Sequence, residues 1–393
     1  MSVSFSRFNN MHIDGINLFT IRLPFVDNFS HAKKKGAFAH NVIVEITADR
    51  FRFKGYGEAA PRIYVTGESP ESAMQSIGQF VRHDHFPWEL EDITQIWDFV
   101  DILPEGKKHN SAICALEMAL LDVLGKCQNM PILEYFPKTH YTDTICYGAA
   151  VHLGDKERII KICRLIQQLG IRHLRIKLDD DFQNNKCALE TVISFFGQVS
   201  DLRVDVNGAW DSELAHRHIQ LLKDAAVKVV EQPLHPDASG LSEFAGEMKA
   251  HGIILMADES ACSYEDIKKI KKDGDYEMIN VRLSKCGGFR RSLEIIDRLR
   301  AGGLYFQIGC QLGESGLLSA AGRVLSLLNR DALFYDGSYD AFLLKENTTD
   351  KNVTFGPGGI AGPINGSGLG VTVNRRRLAR LNSGHSAETI SRI

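Results

Sequence analysis

Short apolar runs followed by amphipathic stretches recur along residues 139–363, and this repeat limits the possible folds more than any other feature of the chain. Stretches such as KERIIKICRLIQQLG and SLEIIDRLRAGG carry apolar residues three and four apart, as amphipathic helices do. The candidate strands end near Val151, Lys177, Asn207, Glu231, Asp258, Asn280, Ile308 and Phe334. Eight strand–helix units in about 220 residues match the length of a (β/α)8 TIM-type barrel.

A doubly wound parallel sheet is the competing α/β architecture. Such a sheet is expected to carry a glycine fingerprint after its first strand, and the sequence has none there. The glycine-rich stretch at 356–370 follows the last unit and opens no helix, so we interpret it as a loop that leads the chain off the barrel.

The first 138 residues have a different pattern. The runs INLFTIRL, NVIVEITA and FRFKGYGEAA indicate an antiparallel meander of about three strands, and three amphipathic stretches follow. Ser69 and Pro70 predict the start of the first helix, and Gly125 is a candidate C-terminal cap of the third. This region is therefore predicted to be an α+β unit.

Residues 25–41 form a long polar stretch inside that unit. We interpret it as a surface loop, and the alternative is a lid over a substrate. As a lid it could place cationic contacts on an anionic group, from the side chains of His31, Lys33, Lys34 and Lys35.

Charge and cysteine content exclude several classes of function. The formal net charge of −3 and the lack of a long basic stripe argue against nucleic-acid or membrane partners. The eight scattered cysteines suit reduced thiols rather than disulfides or a zinc knuckle. With no apolar leader or long apolar segment, we expect a soluble cytoplasmic protein.

Polar residues end most of the predicted barrel strands, at the edge where the active site of such a barrel lies. They are Arg175 and Lys177, Asp205 and Asn207, Glu231, Asp258 and Glu259, Lys285, and Glu314. Asp179, Asp180 and Asp181 lie past their strand and are interpreted as a helix-capping or solvated turn.

Three of these residues are carboxylates on consecutive strands: Asp205, Glu231 and Asp258. Like charges cannot share a buried site without a counter-ion, because each raises the pKa of the others and desolvation costs several kcal/mol. A divalent cation resolves the conflict, and oxygen-only ligands favour Mg²⁺ over zinc.

Lys177 and Lys285 belong to strands four apart in a ring of eight, so they are predicted to face each other across the metal. They could act on opposite faces of one carbon. For a lysine to act as a base its pKa must fall, and Arg175 with the metal is expected to lower it. A Schiff-base aldolase on the same fold is an alternative.

Taken together, these motifs resemble those of a known family. The order R-x-K, D-x-N, E-Q-P, D-E-S and K-x-G-G, with GYGEAAPR and TGES near the start, resembles the enolase superfamily, in its muconate-lactonizing (mandelate racemase/muconate cycloisomerase-like) subgroup. The likeness runs from about residue 16 to residue 381.

The resemblance implies domains and roles. It implies a capping domain at 1–138, completed by the tail 364–393, over a barrel domain at 139–363. It further implies Mg²⁺ ligation by Asp205, Glu231 and Asp258, with Lys177 and Lys285 as acid/base groups. Arg175, Asn207, Glu259, Glu314 and Asp340 would be supporting or substrate-contacting residues. The expected chemistry is removal of the proton α to a substrate carboxylate to give an enediolate.

The specific reaction stays open at this point. Many relatives have a second lysine where this chain has Arg175, and those that act on dipeptides carry D-x-D-x-x-L-L where this chain has GSYDAFLL, with Ser338 in place of the first acid and Asp340 kept. We expect an isomerase (racemase, epimerase or cycloisomerase) that acts on a small carboxylate as a homo-oligomer. The alternatives are a β-eliminating lyase similar to o-succinylbenzoate synthase and a catalytically silent barrel.

Overall fold

The computed structural model describes residues 10–31, 34–197, 201–383 and 388–391. The chain begins with an antiparallel sheet and three helices, as predicted. The strands are β1 (Met11–His31), β2 (Lys34–Ala48), β3 (Phe53–Ala59) and β4 (Glu89–Leu90). The helices are α1 (Pro70–Val81), α2 (Ile93–Asp101) and α3 (Asn110–Cys127).

The start of α1 is confirmed and the end of α3 is corrected. Ser69 caps α1 in a reciprocal capping box with Ser72, and Pro70 is the first helical residue. Gly125 does not cap α3, which continues to Cys127. A Cβ at Gly125 would lie 2.8 Å from the Cα of Gly368. Glycine at 125 therefore allows close packing of the C-terminal segment on α3.

Residues 25–31 and 34–41 are not a loop, because they belong to the paired strands β1 and β2. The pairing shifts register between Pro24/Phe38 and Phe29/Gly36 and then continues to His31 opposite Lys34. The backbone pairs across the bulge, which the polar composition alone does not reveal. Lys33 lies outside the described residues, and so do the side chains of His31, Lys34 and Lys35.

A short strand, β5 (Ile145–Cys146), precedes eight parallel strands that neighbour one another in chain order. They are β6 (Ala149–Val151), β7 (Leu174–Lys177), β8 (Arg203–Asp205), β9 (Val229–Glu231), β10 (Ile254–Ala257), β11 (Met278–Arg282), β12 (Tyr305–Gly309) and β13 (Phe334–Tyr335). Tyr147 forms a parallel bridge with Tyr335, and the N–H of Gly148 donates to the Tyr335 carbonyl at 2.8 Å. The first and last strands therefore meet, and the predicted TIM-type barrel is confirmed.

Helices follow each barrel strand. They are α4 (Lys156–Gln168), α5 (Phe182–Phe196), α6 (Ser212–Asp224), α7 (Leu241–Ala250), α8 (Tyr264–Asp273), α9 (Leu283–Cys286), α10 (Gly288–Gly302), α11 (Gly316–Leu327) and α12 (Asp340–Leu343). Asp181 caps α5 by accepting from the N–H groups of Gln183 and Asn184, which confirms the capping turn.

The C-terminal segment returns to the first unit. It contains β14 (Ile360–Ala361), α13 (Arg375–Leu381) and β15 (Glu388–Ile390). β15 pairs with β1 through Ile16 and Ile390, and the N–H of Leu369 donates to Asp122 of α3 at 2.8 Å. Among the described residues, none of the helices has the length and apolar character that a bilayer crossing requires. The eight cysteines are unpaired.

Candidate active site

Three carboxylates form a row at the carboxyl ends of adjacent barrel strands. Lys177, Asp205 and Glu231 are register partners across β7, β8 and β9, and Asp258 follows β10 directly. The three acids have 0% exposed surface. The strand register thus brings together the acids that the sequence placed at strand ends.

Two arginines bridge this row. The Nη1 of Arg175 donates to Asp205 Oδ2 at 3.0 Å and to Glu231 Oε2 at 2.9 Å. The Nη2 of Arg282 donates to Asp258 Oδ2 and, at 3.4 Å, to Glu231 Oε1. Each neighbouring pair of carboxylates therefore shares one guanidinium group.

Arg282 was not among the predicted site residues. Its signal is the alternation in INVR, which places it on the same side of β11 as Asn280. Asn280 Nδ2 also donates to Glu231 Oε1, at 2.5 Å. Asp336 was missed as well: it lies between Arg175, at 3.3 Å, and Arg203, at 3.0 Å.

The carboxylates of the row differ in how strongly their surroundings stabilise the charged form. Burial raises the pKa of Asp205, and the neighbouring Glu231 charge raises it further. Burial would also raise the pKa of Glu231, but Arg175 and Arg282 outweigh burial and hold it below its ordinary value. Glu231 is therefore charged, and Asp205 retains a repulsion that a further cation would relieve.

These residues fit a Mg²⁺ ion. They offer oxygen donors only, from three adjacent strands, which is the ligand chemistry that Mg²⁺ prefers. A bound ion has to compete with the guanidinium groups of Arg175 and Arg282 for the same carboxylates.

A second group of possible metal ligands lies on the helices. His216 of α6 and Glu243 and Glu247 of α7 hold ligand atoms within 4.8 Å of one another. The Nδ1–H of His216 donates to the Ser212 carbonyl at 2.6 Å, and Nε2 lies 3.3 Å from Glu247. The side chain of Glu243 is 74% exposed, so we interpret this group as an interhelical ion pair.

The two lysines occupy opposite ends of the row. Lys177 donates to Asp205 Oδ2 and, at 2.9 Å, to Asn207 Oδ1. Lys285 donates to Asp258 Oδ1 at 2.9 Å and to the carbonyls of Asp258 and Asn280 at 2.7 and 2.6 Å. Burial lowers the pKa of Lys285, but the Asp258 carboxylate outweighs burial and raises it. A fall in lysine pKa caused by a bound metal stays a prediction.

Asn207 and Glu259 continue from Lys177. The Nδ2 of Asn207 donates to Glu259 Oε1 at 3.1 Å. Burial, followed by the Asp258 charge, raises the pKa of Glu259 to about 7. Asn207 therefore links the lysine at one end of the row to the acid beside Asp258.

A cavity of about 1190 Å³ opens onto these groups. Its wall includes Arg175, Lys177, Asn207, Arg282 and Glu314, whereas Lys285 is not among the described lining residues. Glu314 accepts the N–H of Gln311 at 2.6 Å, and burial raises its pKa to about 8. Glu314 is thus an acid of raised pKa at the cavity wall.

Asp340 and Ser338 also line the cavity, and protein groups bond to one carboxylate oxygen of Asp340 and to the Ser338 hydroxyl. Asp340 Oδ2 accepts from the N–H of Val353 at 2.9 Å and from Asn347 Nδ2 at 2.5 Å. Arg323 Nη2 donates to Ser338 Oγ at 2.9 Å. Asp340 Oδ1, by contrast, has no hydrogen-bond partner among the described residues, so Asp340 is the acid that this part of the wall retains.

Comparison with known proteins places the arrangement in context. Residues 159–377, more than half of the chain, match the family model described as enolase C-terminal domain-like. The L-Ala-D/L-Glu epimerase of Escherichia coli is 30% identical over 78% of this chain and 88% of its own length. The N-succinyl-L-Arg/Lys racemase of Bacillus cereus is 26% identical, with coverages of 79% and 83%.

A solved structure gives the same fold. The dipeptide epimerase of Enterococcus faecalis, crystallised with Mg and the dipeptide L-Leu-L-Tyr, superposes with a TM-score of 0.78 at 22% identity. The match covers 92% of this chain and 99% of the epimerase.

Proposed function

The chain belongs to the enolase superfamily, and from that premise we propose that it is a Mg²⁺-dependent racemase or epimerase of small carboxylates. The reaction is removal of the proton α to the substrate carboxylate, followed by return of a proton to the other face. The single observation that carries this proposal is the row of three buried carboxylates with one lysine at each end.

We assign the metal to Asp205, Glu231 and Asp258. When bound there, Mg²⁺ stabilises the negative charge that develops on the substrate carboxylate as the α-proton leaves. The guanidinium groups of Arg175 and Arg282 contact the same carboxylates. They also limit how strongly the row attracts a cation.

Lys177 is the proposed acid/base group on one face of the α-carbon and Lys285 that on the other. Lys177 is held by Asp205 and Asn207 and borders the cavity, so its amine can reach a substrate directly. Lys285 must release at least one of its three acceptors to transfer a proton. A neutral lysine takes the α-proton, and the opposite ammonium donates a proton.

We propose an N-acylated amino acid as the substrate class, rather than a dipeptide with a free ammonium group. Relatives with D-x-D can pair that ammonium with two acids. In this chain Ser338 is bonded to Arg323, and Asp340 Oδ2 already accepts from two protein donors, which leaves a single acid with one unpartnered oxygen, Asp340 Oδ1, where those relatives have two acids. An N-acyl group carries no positive charge and needs no such partner.

Deuterium exchange tests the function. The purified protein in D₂O with Mg²⁺ is incubated with both enantiomers of N-acetyl and N-succinyl amino acids, and with L-Ala-L-Glu and L-Leu-L-Tyr. Proton NMR is expected to show loss of the α-proton signal, and chiral chromatography the opposite enantiomer. A product of lower mass than the substrate, in place of the opposite enantiomer, would support the lyase alternative. A panel in which no substrate exchanges its α-proton would overturn the proposal.

We also propose that residues 1–138 and 364–393 form one capping domain and that 139–363 form the barrel domain. The pairing of β15 with β1 and the packing of Gly368 on α3 support this division. Homo-oligomerisation stays a prediction, which light scattering of the purified protein tests.

A further inference from the structure

The helix that follows Lys285 begins against a carboxylate from the N-terminal unit. Glu117 of α3 is fully buried, and its Oε1 accepts the N–H of Arg290 at 2.9 Å. Its Oε2 accepts the N–H of Phe289 at 2.5 Å. The first N–H groups of a helix have no partner within the helix, so Glu117 acts as a cap of α10 supplied from far away in the chain.

The double glycine after Lys285 makes this approach possible. Gly287 and Gly288 have φ values of +86° and +93°, which side chains rarely tolerate. A Cβ at Gly288 would lie 2.0 Å from Glu117 Oε2. The second glycine of the K-x-G-G motif is therefore required by the contact with Glu117.

A second residue of α3 holds the backbone of Lys285 itself. The Nδ2 of Asn110 donates to the Lys285 carbonyl at 2.6 Å and to the Cys262 carbonyl at 2.8 Å. The Asn110 side chain is 2% exposed, so water competes little for these bonds. Helix α3 thus contacts both ends of the segment 285–290, through Asn110 at Lys285 and through Glu117 at residues 289 and 290.

We propose that Asn110 and Glu117 are positioning residues that fix Lys285 relative to the carboxylate row. This inference rests on the proposed function, in which Lys285 serves one face of the substrate. The side chain of Lys285 is held by Asp258, directly after β10, and by Asn280 of β11, and its main chain is held by α3. Loosening α3 from this segment therefore displaces Lys285 while Lys177, on β7, keeps its contacts.

The test compares Glu117→Gln and Asn110→Ala with Glu68→Gln. Glutamine has one oxygen, so one of the two N–H groups loses its acceptor. Glu68 is a matched control because it is 1% exposed and accepts from the N–H of Ser111, at the start of α3. Among the described residues, none of its hydrogen bonds reaches a barrel strand end. Far-UV circular dichroism and thermal unfolding establish that each variant is folded.

The first readout needs no substrate. Hydrogen–deuterium exchange with mass spectrometry follows the backbone amides of residues 286–290. The expected result is faster exchange in Glu117→Gln and Asn110→Ala, and unchanged exchange there in Glu68→Gln. Unchanged protection in both α3 variants would overturn the proposal even if the protein proved inert towards every substrate.

The second readout uses both enantiomers of the N-acylamino acid that exchanges fastest in the panel above. The α-proton exchange that Lys285→Ala abolishes is expected to fall roughly 10- to 100-fold in Glu117→Gln. Exchange of the opposite enantiomer, which faces Lys177, is expected to be unchanged. An equal loss for both enantiomers would show a general structural role and would overturn the positioning role.

Discussion

Lys177 and Lys285 stand at the two ends of one carboxylate row but differ in access to the cavity. The side chain of Lys177 is 15% exposed, whereas that of Lys285 is 0% exposed and donates hydrogen bonds to three acceptors. The two lysines are therefore not equivalent in this state of the protein, although both contact a proposed metal ligand. Because each lysine is assigned to one face of the α-carbon, this difference in access affects the two enantiomers of a substrate separately.

Single-lysine variants are expected to separate racemisation from exchange. Lys177→Ala and Lys285→Ala should each abolish racemisation, because a proton must leave one face and return to the other. Each should keep α-proton exchange only for the enantiomer that faces the remaining lysine. Chiral chromatography measures the first and NMR in D₂O the second. Racemisation that survives in both variants would contradict the two-lysine arrangement.

Removing Arg282 is expected to strengthen Mg²⁺ binding. In Arg282→Met the guanidinium between Glu231 and Asp258 is lost, and a unit charge at about 4 Å is worth about 4 kcal/mol near a protein surface. Isothermal titration calorimetry should show Mg²⁺ affinity at least about tenfold higher than in the wild type, which corresponds to about 1.4 kcal/mol.

The same variant should be less stable without the metal. Breaking a buried ion pair by removing one partner costs about 3 to 5 kcal/mol, and Mg²⁺ should restore part of it. Lys161→Met is the control, since Lys161 lines the cavity but is exposed and lies on α4. Equal Mg²⁺ affinity in Arg282→Met and the wild type would rule out competition between the guanidinium and the ion.

The sequence predicted those parts of the site that follow from strand geometry. Because parallel strands end at one edge, Asp205, Glu231 and Asp258 could be grouped from their positions alone. The alternation in R-I-K likewise placed Arg175 and Lys177 on one side of β7, and both contact Asp205. Boundaries were less predictable, as the continuation of α3 past Gly125 illustrates.

Contacts between distant parts of the chain could not be predicted in the same way. Glu117 is flanked by apolar residues within α3, and its partner Phe289 is 172 residues away. Nothing in the local pattern tells which backbone N–H groups a buried acid will meet. The alternation in INVR indicated Arg282. That its guanidinium group contacts both Glu231 and Asp258, however, depends on side-chain packing across three strands.

Introducing an acid at Ser338 is not expected to create dipeptide activity. Ser338→Asp restores the first acid of D-x-D, but the guanidinium of Arg323 lies 2.9 Å from the Ser338 hydroxyl and would pair with the new carboxylate. Exchange with L-Ala-L-Glu and L-Leu-L-Tyr should therefore stay at the wild-type level. A tenfold faster exchange with either dipeptide, which corresponds to a barrier lowered by about 1.4 kcal/mol, would contradict this assignment.

Glu117 should make the protein less stable as the pH rises. Burial raises the pKa of Glu117 from its ordinary value of 4.5 to about 7. Between these values the unfolded chain releases the proton while the folded protein keeps it, so the free energy of unfolding falls with pH and levels off above about pH 7. At about 1.4 kcal/mol per pH unit, the total loss is about 3 kcal/mol.

Glu117→Gln isolates this contribution, because glutamine does not titrate. Urea unfolding of the wild type and the variant, followed by circular dichroism at intervals from pH 4.5 to 8, gives two stability curves. The wild-type curve should fall relative to the variant curve by about 3 kcal/mol up to pH 7, and the two should run parallel above it. The other buried acids cancel because both proteins contain them. Curves that stay parallel throughout would mean that folding leaves the proton affinity of Glu117 unchanged.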